Sequence, residues 1–581
     1  MKSKRVLALL LTVAIFTALL AVLTACTDND NVTDKAKGAI YEENYTPTKN
    51  KAMILIPGLM ASALYEESTD KPMWCPTGFL RLAEIYTSRL NALNDKYPDS
   101  ERGNAEYIET KKGLLQNILL EYLGCDEEGV PNTLGRVCNM QSSNPADSFG
   151  GMGYLWEILY GYYHEQYDVL VWQYDWRQSN VESAKHLENF INKCGYEKVQ
   201  FYTHSMGGLV VSNWLQKAEN RAKVELFVPF GAPFLGSMDA ITNLFSEDAF
   251  ASLKPILKAM GLEFNLAEVA RTIPSIVELL PDAKYFDLYA VGTSPITIDG
   301  RALTYEEFYK ALCNQSWAKD SKGNVKDYIK NLKSYQESFY VNAKYDSELG
   351  YWVEDATSTE KVHVSQLVPT EYVLGVGVST CSVTHLMTAE NGNWKLDYAD
   401  SDLSEFSAEG TIYDRYINGR DDGQSSGTGQ KIAGYKDGKF YGAGDGTVPA
   451  RSATAGQELN VKNAHLVFGV KHGPLLNDSC DGLNGYAPRF LTGLAYVEEI
   501  LPSYVKNTDS EIVLSLGSGS GRPQSATTEI SKDQKITAIV MGVVMSVVLV
   551  AMAITVGVAV KRKGGKSETA EINGEDLNDK Q

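Results

Sequence analysis

Val199-Gln200-Phe201-Tyr202-Thr203-His204-Ser205-Met206-Gly207-Gly208-Leu209-Val210-Val211-Ser212-Asn213-Trp214-Leu215 reads as a strand, a sharp turn and a helix. A short apolar, aromatic run enters the turn, and a longer apolar run with helix-compatible residues leaves it. A serine at the apex of such a turn is the context of a nucleophile elbow. There the residues two before and two after the serine must be small, so that strand and helix can approach. Gly207 meets this, whereas Thr203 stands where glycine is usual. The helix that follows aims the positive end of its dipole at the turn, and an adjacent base is needed to make the hydroxyl nucleophilic. Ser205 is the candidate nucleophile.

Working outward, continuous apolar runs at 52–56, 169–172, 226–228 and 372–376 read as strands buried on both faces, with helical stretches between them. Residues 180–192, for example, place Val181, Ala184, Leu187 and Ile191 near helical spacing. This alternation predicts an α/β fold with a doubly wound, mostly parallel sheet over a catalytic region at 51–506. Two stretches, about 65–150 and 237–366, lack the alternation and read as cap or lid insertions. Residues 391–439, rich in Asp, Gly and Ser, read as a long loop with a hairpin, and there is no internal repeat.

Acyl transfer at a serine needs two backbone N–H groups for the oxyanion, one from the residue after the nucleophile and one from the loop after an early strand. These are Met206 and, in Ile56-Pro57-Gly58-Leu59, Leu59. The acid and base should follow the serine in the order Asp, His. Asp445, between glycines in Gly444-Asp445-Gly446-Thr447-Val448-Pro449, and His472, in Lys471-His472-Gly473-Pro474, fit that order. His472 would take and return the serine proton, and Asp445 would hold its tautomer. Among the seven histidines, His186 falls on a surface helix, His204 adjoins the nucleophile but points the wrong way, and His465 reads as strand-end structure. The Asp175 and Arg177 pair in Tyr174-Asp175-Trp176-Arg177 reads as a structural brace.

Ile56-Pro57-Gly58, Tyr174-Asp175-Trp176-Arg177, His204-Ser205-Met206-Gly207-Gly208, Gly231-Ala232-Pro233-Phe234-Leu235-Gly236-Ser237, Gly375-Val376-Gly377, Gly444-Asp445-Gly446-Thr447-Val448 and the segment around His472 occur in that order. Together they resemble the lecithin:cholesterol acyltransferase family, which includes a lysosomal phospholipase and phospholipid:diacylglycerol acyltransferases. The resemblance implies an α/β-hydrolase fold with a cap, a covalent acyl-enzyme, and a triad at Ser205, Asp445 and His472. Thr203 departs from the family pattern, and the first insertion does not visibly keep the family's lid pattern, although Trp74 and Cys75 fall within it.

The ends place the enzyme. Lys2, Lys4 and Arg5 precede an apolar run and then Leu23-Thr24-Ala25-Cys26, which resembles a lipoprotein lipobox. Residues 1–26 therefore read as an export signal with lipidation at Cys26, the alternative being an uncleaved anchor. Residues 27–50 read as a polar tether. Residues 536–560 carry no charge, and at about 1.5 Å per residue they are long enough to span a hydrocarbon core of about 30 Å. Lys561, Arg562 and Lys563 follow, which puts the 561–581 tail in the cytoplasm and the catalytic region outside the cell membrane. A Gly/Ser/Thr/Pro-rich stalk at 507–535 joins the two.

Beyond Cys26 an odd number of cysteines remains, and bridges of Cys125 with Cys138 or Cys75 are open. No metal or cofactor is expected, because no His/Cys cluster has zinc spacing. A net charge of -19 disfavours nucleic acid as a partner. The reading is therefore of a serine esterase, lipase or O-acyltransferase that acts on a lipid acyl ester at a membrane, with transfer and hydrolysis both open. A second reading keeps the esterase but takes non-phospholipid esters, such as acylated envelope polymers. A third is a non-catalytic surface-binding protein of the same fold.

Overall fold

A computed structural model describes residues 44–74, 78–98, 100–137, 152–245, 265–289, 294–376, 378–396, 434–436, 439–457, 463–468 and 471–476. Six strands form the central sheet: β1 (Lys51–Ile56), β2 (Asp168–Val171), β3 (Lys198–His204), β4 (Val224–Phe230), β5 (Tyr372–Val376) and β6 (Ala464–Phe468). Their spatial order is β6-β5-β4-β3-β1-β2, and every neighbouring pair is parallel. The chain lays β2 on one side of β1 and then returns past it to β3, so the direction of winding reverses between β1 and β3. In open parallel sheets the crevice outside the carboxyl ends at such a reversal is where ligands bind. Ile56 and His204 end the two strands there.

The apolar runs are continuous because both faces of the sheet are covered. Ala52, Ile54 and Ile56 join Phe201 and Phe227 in one core, whereas Met53 and Leu55 join Val169, Val171 and Val228 in another. Helix α1 (Met152–Tyr163) supplies Leu155 and Leu159 to the second core. Helices α2 (Asn180–Cys194) and α3 (Gly207–Trp214) supply Leu187, Phe190, Leu209 and Val210 to the first. Burying a side chain of this kind contributes about 1.5–3 kcal/mol. Helix α2 follows the predicted spacing, with Ala184, Leu187 and Ile191 buried, and it starts where the Ser179 side chain accepts from the Val181 amide.

A second sheet is absent from the sequence reading. Val378–Thr388 continues from β5 and pairs antiparallel with Lys439–Gly444 and Trp394–Leu396, and parallel with Ile296–Ile298. The hairpin expected within 391–439 is present, as Gly434–Lys436 against Lys439–Gly444, but its second strand belongs to this sheet. The run hides its strand character because its alternate polar residues are buried too: Thr380 and Thr384 are fully covered.

Both insertions hold regular structure, although neither continues the alternation of the central sheet. The first has two helices, Gly78–Lys96 and Ala105–Leu123, packed on one another, and a small sheet of Leu64–Glu66, Pro72–Trp74 and Gly135–Arg136. The second includes Met238–Phe245, Tyr305–Cys313 and a sheet of Tyr340–Asp346 between Tyr351–Glu354 and Lys361–His363. Helix Ala105–Leu123 escaped detection because its N-terminal half mixes charged with apolar residues and, Tyr107 apart, its burial is concentrated from Leu115 onward.

Three further readings are corrected or refined. The end of the predicted tether is docked: Tyr45 is buried with its hydroxyl on that of Tyr196, and Thr48 donates through its amide and hydroxyl to the buried Asp168 carboxylate. A buried carboxylate needs such donors, which fixes the approach to β1. Cys125 is a free buried thiol, not a bridge partner, and its Sγ donates to the Arg177 carbonyl at 3.7 Å. Arg177 is fully buried and paired with Asp175 at 2.6 Å; its Nη1 also donates to the Tyr122 carbonyl, 2.7 Å away. The brace thus joins the end of β2 to the first insertion.

Among the described residues no helix is long and apolar enough to cross a membrane. The signal segment with Cys26, most of the tether, the stalk, the span at 536–560 and the tail lie outside the described residues, as do Cys75, Cys138 and Cys480.

Candidate active site

Ser205 follows the last residue of β3 and adopts φ 53°, a left-handed conformation that a residue with a side chain holds only under constraint. Two bonds impose it: the Ser205 amide donates to the Phe230 carbonyl at 2.9 Å, and the Ser205 carbonyl accepts from Gly208 at 2.9 Å. The serine side is partly open to solvent, while Thr203 and Met206 on either side are fully buried. The 57–59 loop lies directly on the serine. A Cβ built on Gly58 would come within 2.7 Å of Ser205 Cβ and 3.3 Å of its Oγ, so only glycine allows this approach. Beyond it Met60 has φ 61°, and its carbonyl accepts from the Trp74 indole at 2.6 Å. Among the described residues, neither the Leu59 nor the Met206 amide donates to a backbone carbonyl.

Asp445 arrives by a route the sequence did not suggest, from the end of the second sheet's strand Lys439–Gly444. It is almost fully buried. Its Oδ1 accepts from the amides of Thr447 at 3.0 Å and Val448 at 2.7 Å, which leaves Oδ2 facing His472 Nδ1 at 2.7 Å. The His472 amide donates to the Asp445 carbonyl, also at 2.7 Å. A carboxylate only accepts, so Nδ1 carries the proton and Nε2 is left as the acceptor. That Nε2 is buried with no hydrogen-bond partner among the described residues.

The serine and the Asp445–His472 pair are both anchored at the end of β4, with no hydrogen bond between Ser205 Oγ and His472 Nε2. Phe230 accepts from Ser205, and the next residue, Gly231, has φ 58°; a Cβ on it would lie 2.8 Å from Asp445 Oδ2 and 3.2 Å from His472 Nδ1. The Gly-Ala-Pro motif therefore supplies the floor under the acid and the imidazole. Burial, the largest single influence, pulls the His472 pKa down, but the charge and hydrogen bond of Asp445, aided by the Asp239 carboxylate, leave it above the ordinary histidine value.

His204, dismissed in the sequence, belongs to this assembly: its Nε2 lies 2.9 Å from the His472 carbonyl, and the two rings are 4.7 Å apart. Its place immediately before the serine was the available signal. His465, the other downstream histidine weighed, lies on β6 and is committed to Glu371 at 2.5 Å. Among the described residues no group of three or more His, Cys, Asp or Glu side chains could hold a metal.

The family model of lecithin:cholesterol acyltransferase matches residues 157–467, more than half of the chain. The chain belongs to the lecithin:cholesterol acyltransferase family. Within this family match fall β2 to β5, all of β6 but its last residue, Ser205, Gly231 and Asp445; β1 with the 57–59 loop precedes it, and His472 lies just past its end. No curated protein matches the sequence. A solved structure described as the crystal structure of the Tle4-Tli4 complex aligns over 73% of this chain and 95% of that one, at 15% identity and a TM-score of 0.32.

Proposed function

We propose that the protein is a serine acyltransferase or phospholipase that moves an acyl chain from a lipid ester onto Ser205 and then to an alcohol or water. The observation that carries this reading is the bond from His472 Nδ1 to Asp445, which holds the tautomer whose Nε2 accepts a proton, together with Ser205 at a left-handed elbow between strand and helix. His472 takes the Ser205 proton as Oγ attacks the ester carbonyl, and the amides of Leu59 and Met206 receive the oxyanion. The imidazolium, stabilised by Asp445, then protonates the leaving alcohol, and the acyl-enzyme is discharged by a second nucleophile through the same steps in reverse. Family membership supports a lipid ester as substrate. The charge-free segment 536–560 and the Cys26 lipobox support a catalytic body held outside the cell membrane, where such esters lie.

The substrate class is tested by giving the full-length enzyme phosphatidylcholine vesicles, with and without a long-chain alcohol, beside a short water-soluble ester. Fatty acid release from vesicles, or alkyl ester formed when the alcohol is present, is the expected result. Turnover confined to the soluble ester would sink the lipid reading.

The pH profile follows from the raised pKa of His472. A base works only when neutral, so kcat/KM is expected to rise with pH through a midpoint above the ordinary histidine value of about 6.5. Stopped assays across the range check this, and a profile flat from about pH 5 to 8 contradicts it.

A further inference from the structure

Three polar groups of His472 are tied, and each tie fixes a different part of it. Its amide is bound to the Asp445 carbonyl, its Nδ1 to the Asp445 carboxylate, and its own carbonyl to His204 Nε2. The first two come from one residue. Only the third comes from the strand that carries the nucleophile, since His204 ends β3 and Ser205 follows it. We infer that His204 is a positioning residue: it ties the loop bearing the general base to the nucleophile elbow and so sets the distance between the His472 imidazole and the Ser205 hydroxyl. The inference rests on the serine-enzyme reading and deepens it.

The tautomer follows from the partner. A carbonyl can only accept, so His204 must carry its proton on Nε2. Its environment keeps the ring neutral: burial, helped by repulsion from His472, pushes it down to about 3. A neutral ring leaves the charge that develops on His472 during the reaction to be balanced by Asp445, without an adjacent positive competitor. The rings touch as well, 4.7 Å between centroids, so the side chain also blocks lateral movement of the imidazole. A lysine or arginine could reach the carbonyl but would place a full charge against the working base.

The test compares wild type with His204→Leu and His204→Gln in the full-length chain, reading kcat, KM and the rate of fluorophosphonate labelling. Leucine fills the buried space and cannot donate, whereas the glutamine amide N–H can reach the same carbonyl. Displacing a catalytic group by about an ångström costs on the order of 100-fold. His204→Leu is therefore expected to lose roughly 10- to 100-fold in kcat and labelling rate, with KM and the melting temperature little changed, and His204→Gln to recover most of the loss. Wild-type rates in the leucine variant, or a glutamine variant no better than leucine, would overturn the inference.

A Ser205→Ala control and ¹⁵N-histidine NMR separate this from failure of the enzyme reading. Persistent labelling of Ser205→Ala discards the nucleophile. The His204 resonances still decide the tie itself: a neutral ring protonated at Nε2 upholds it, and one protonated at Nδ1 refutes it.

Discussion

Ser205→Ala is expected to remove fluorophosphonate labelling altogether and to cut ester turnover by about 10⁴- to 10⁶-fold, the range seen when a serine nucleophile is deleted from such an assembly. The size of the loss comes from the mechanism. Without Oγ there is no acyl-enzyme, and the buried Nε2 of His472 has no hydroxyl to deprotonate, so any residual rate is that of water attack on an ester bound beside the oxyanion donors. The fold should survive, because the backbone bonds that hold the elbow, to Phe230 and from Gly208, involve main-chain atoms alone. Relief of the left-handed φ of 53° is not achieved by alanine, so melting temperature should change little. Labelling that persisted with an unchanged melt would show that another residue is the nucleophile.

Asp445→Asn is expected to lower kcat by about 10⁴-fold with KM nearly unchanged, a loss that arises from one proton in the wrong place. The geometry dictates which way the new amide turns. Oδ1 accepts from the amides of Thr447 and Val448, and an asparagine must keep its carbonyl oxygen there, because an NH₂ group would face two donors. Its NH₂ then points at His472 Nδ1, which has to become the acceptor. The proton moves to Nε2, and the nitrogen that should receive the serine proton already holds one. Measured kcat near wild type would mean that Asp445 does not set the tautomer, and Asp445→Ala would then be the variant to compare.

Much of the central sheet was legible because its strands are buried on both faces, and double burial leaves an unmistakable apolar run, as at 52–56. The elbow was legible because strand, serine and helix are contiguous. Asp445 and His472 were picked out as candidates by order along the chain, and the structure pairs them, yet the way Asp445 is delivered was not legible. It depends on pairing between Val378–Thr388 and Lys439–Gly444, a long-range contact whose strands bury threonine and serine as readily as valine. Gly231 illustrates the same limit: that Asp445 and His472 both rest on it is a fact of tertiary packing. The link made by His204 was out of reach for a related reason, since its partner is a backbone carbonyl far along the sequence and backbone atoms have no signature in composition.

The guanidinium of Arg177, wholly enclosed and shared between Asp175 and the last turn of helix Ala105–Leu123, bears on how this enzyme could be pruned. Trimming the first insertion to obtain a minimal body would leave the Asp175 pair intact but strip Nη1 of its Tyr122 carbonyl acceptor, and a buried donor left unsatisfied typically costs about 1–3 kcal/mol, more when it is charged. The appendage is thus riveted to the engine block, and a shortened version would need Arg177 and Asp175 exchanged together for apolar residues of similar bulk.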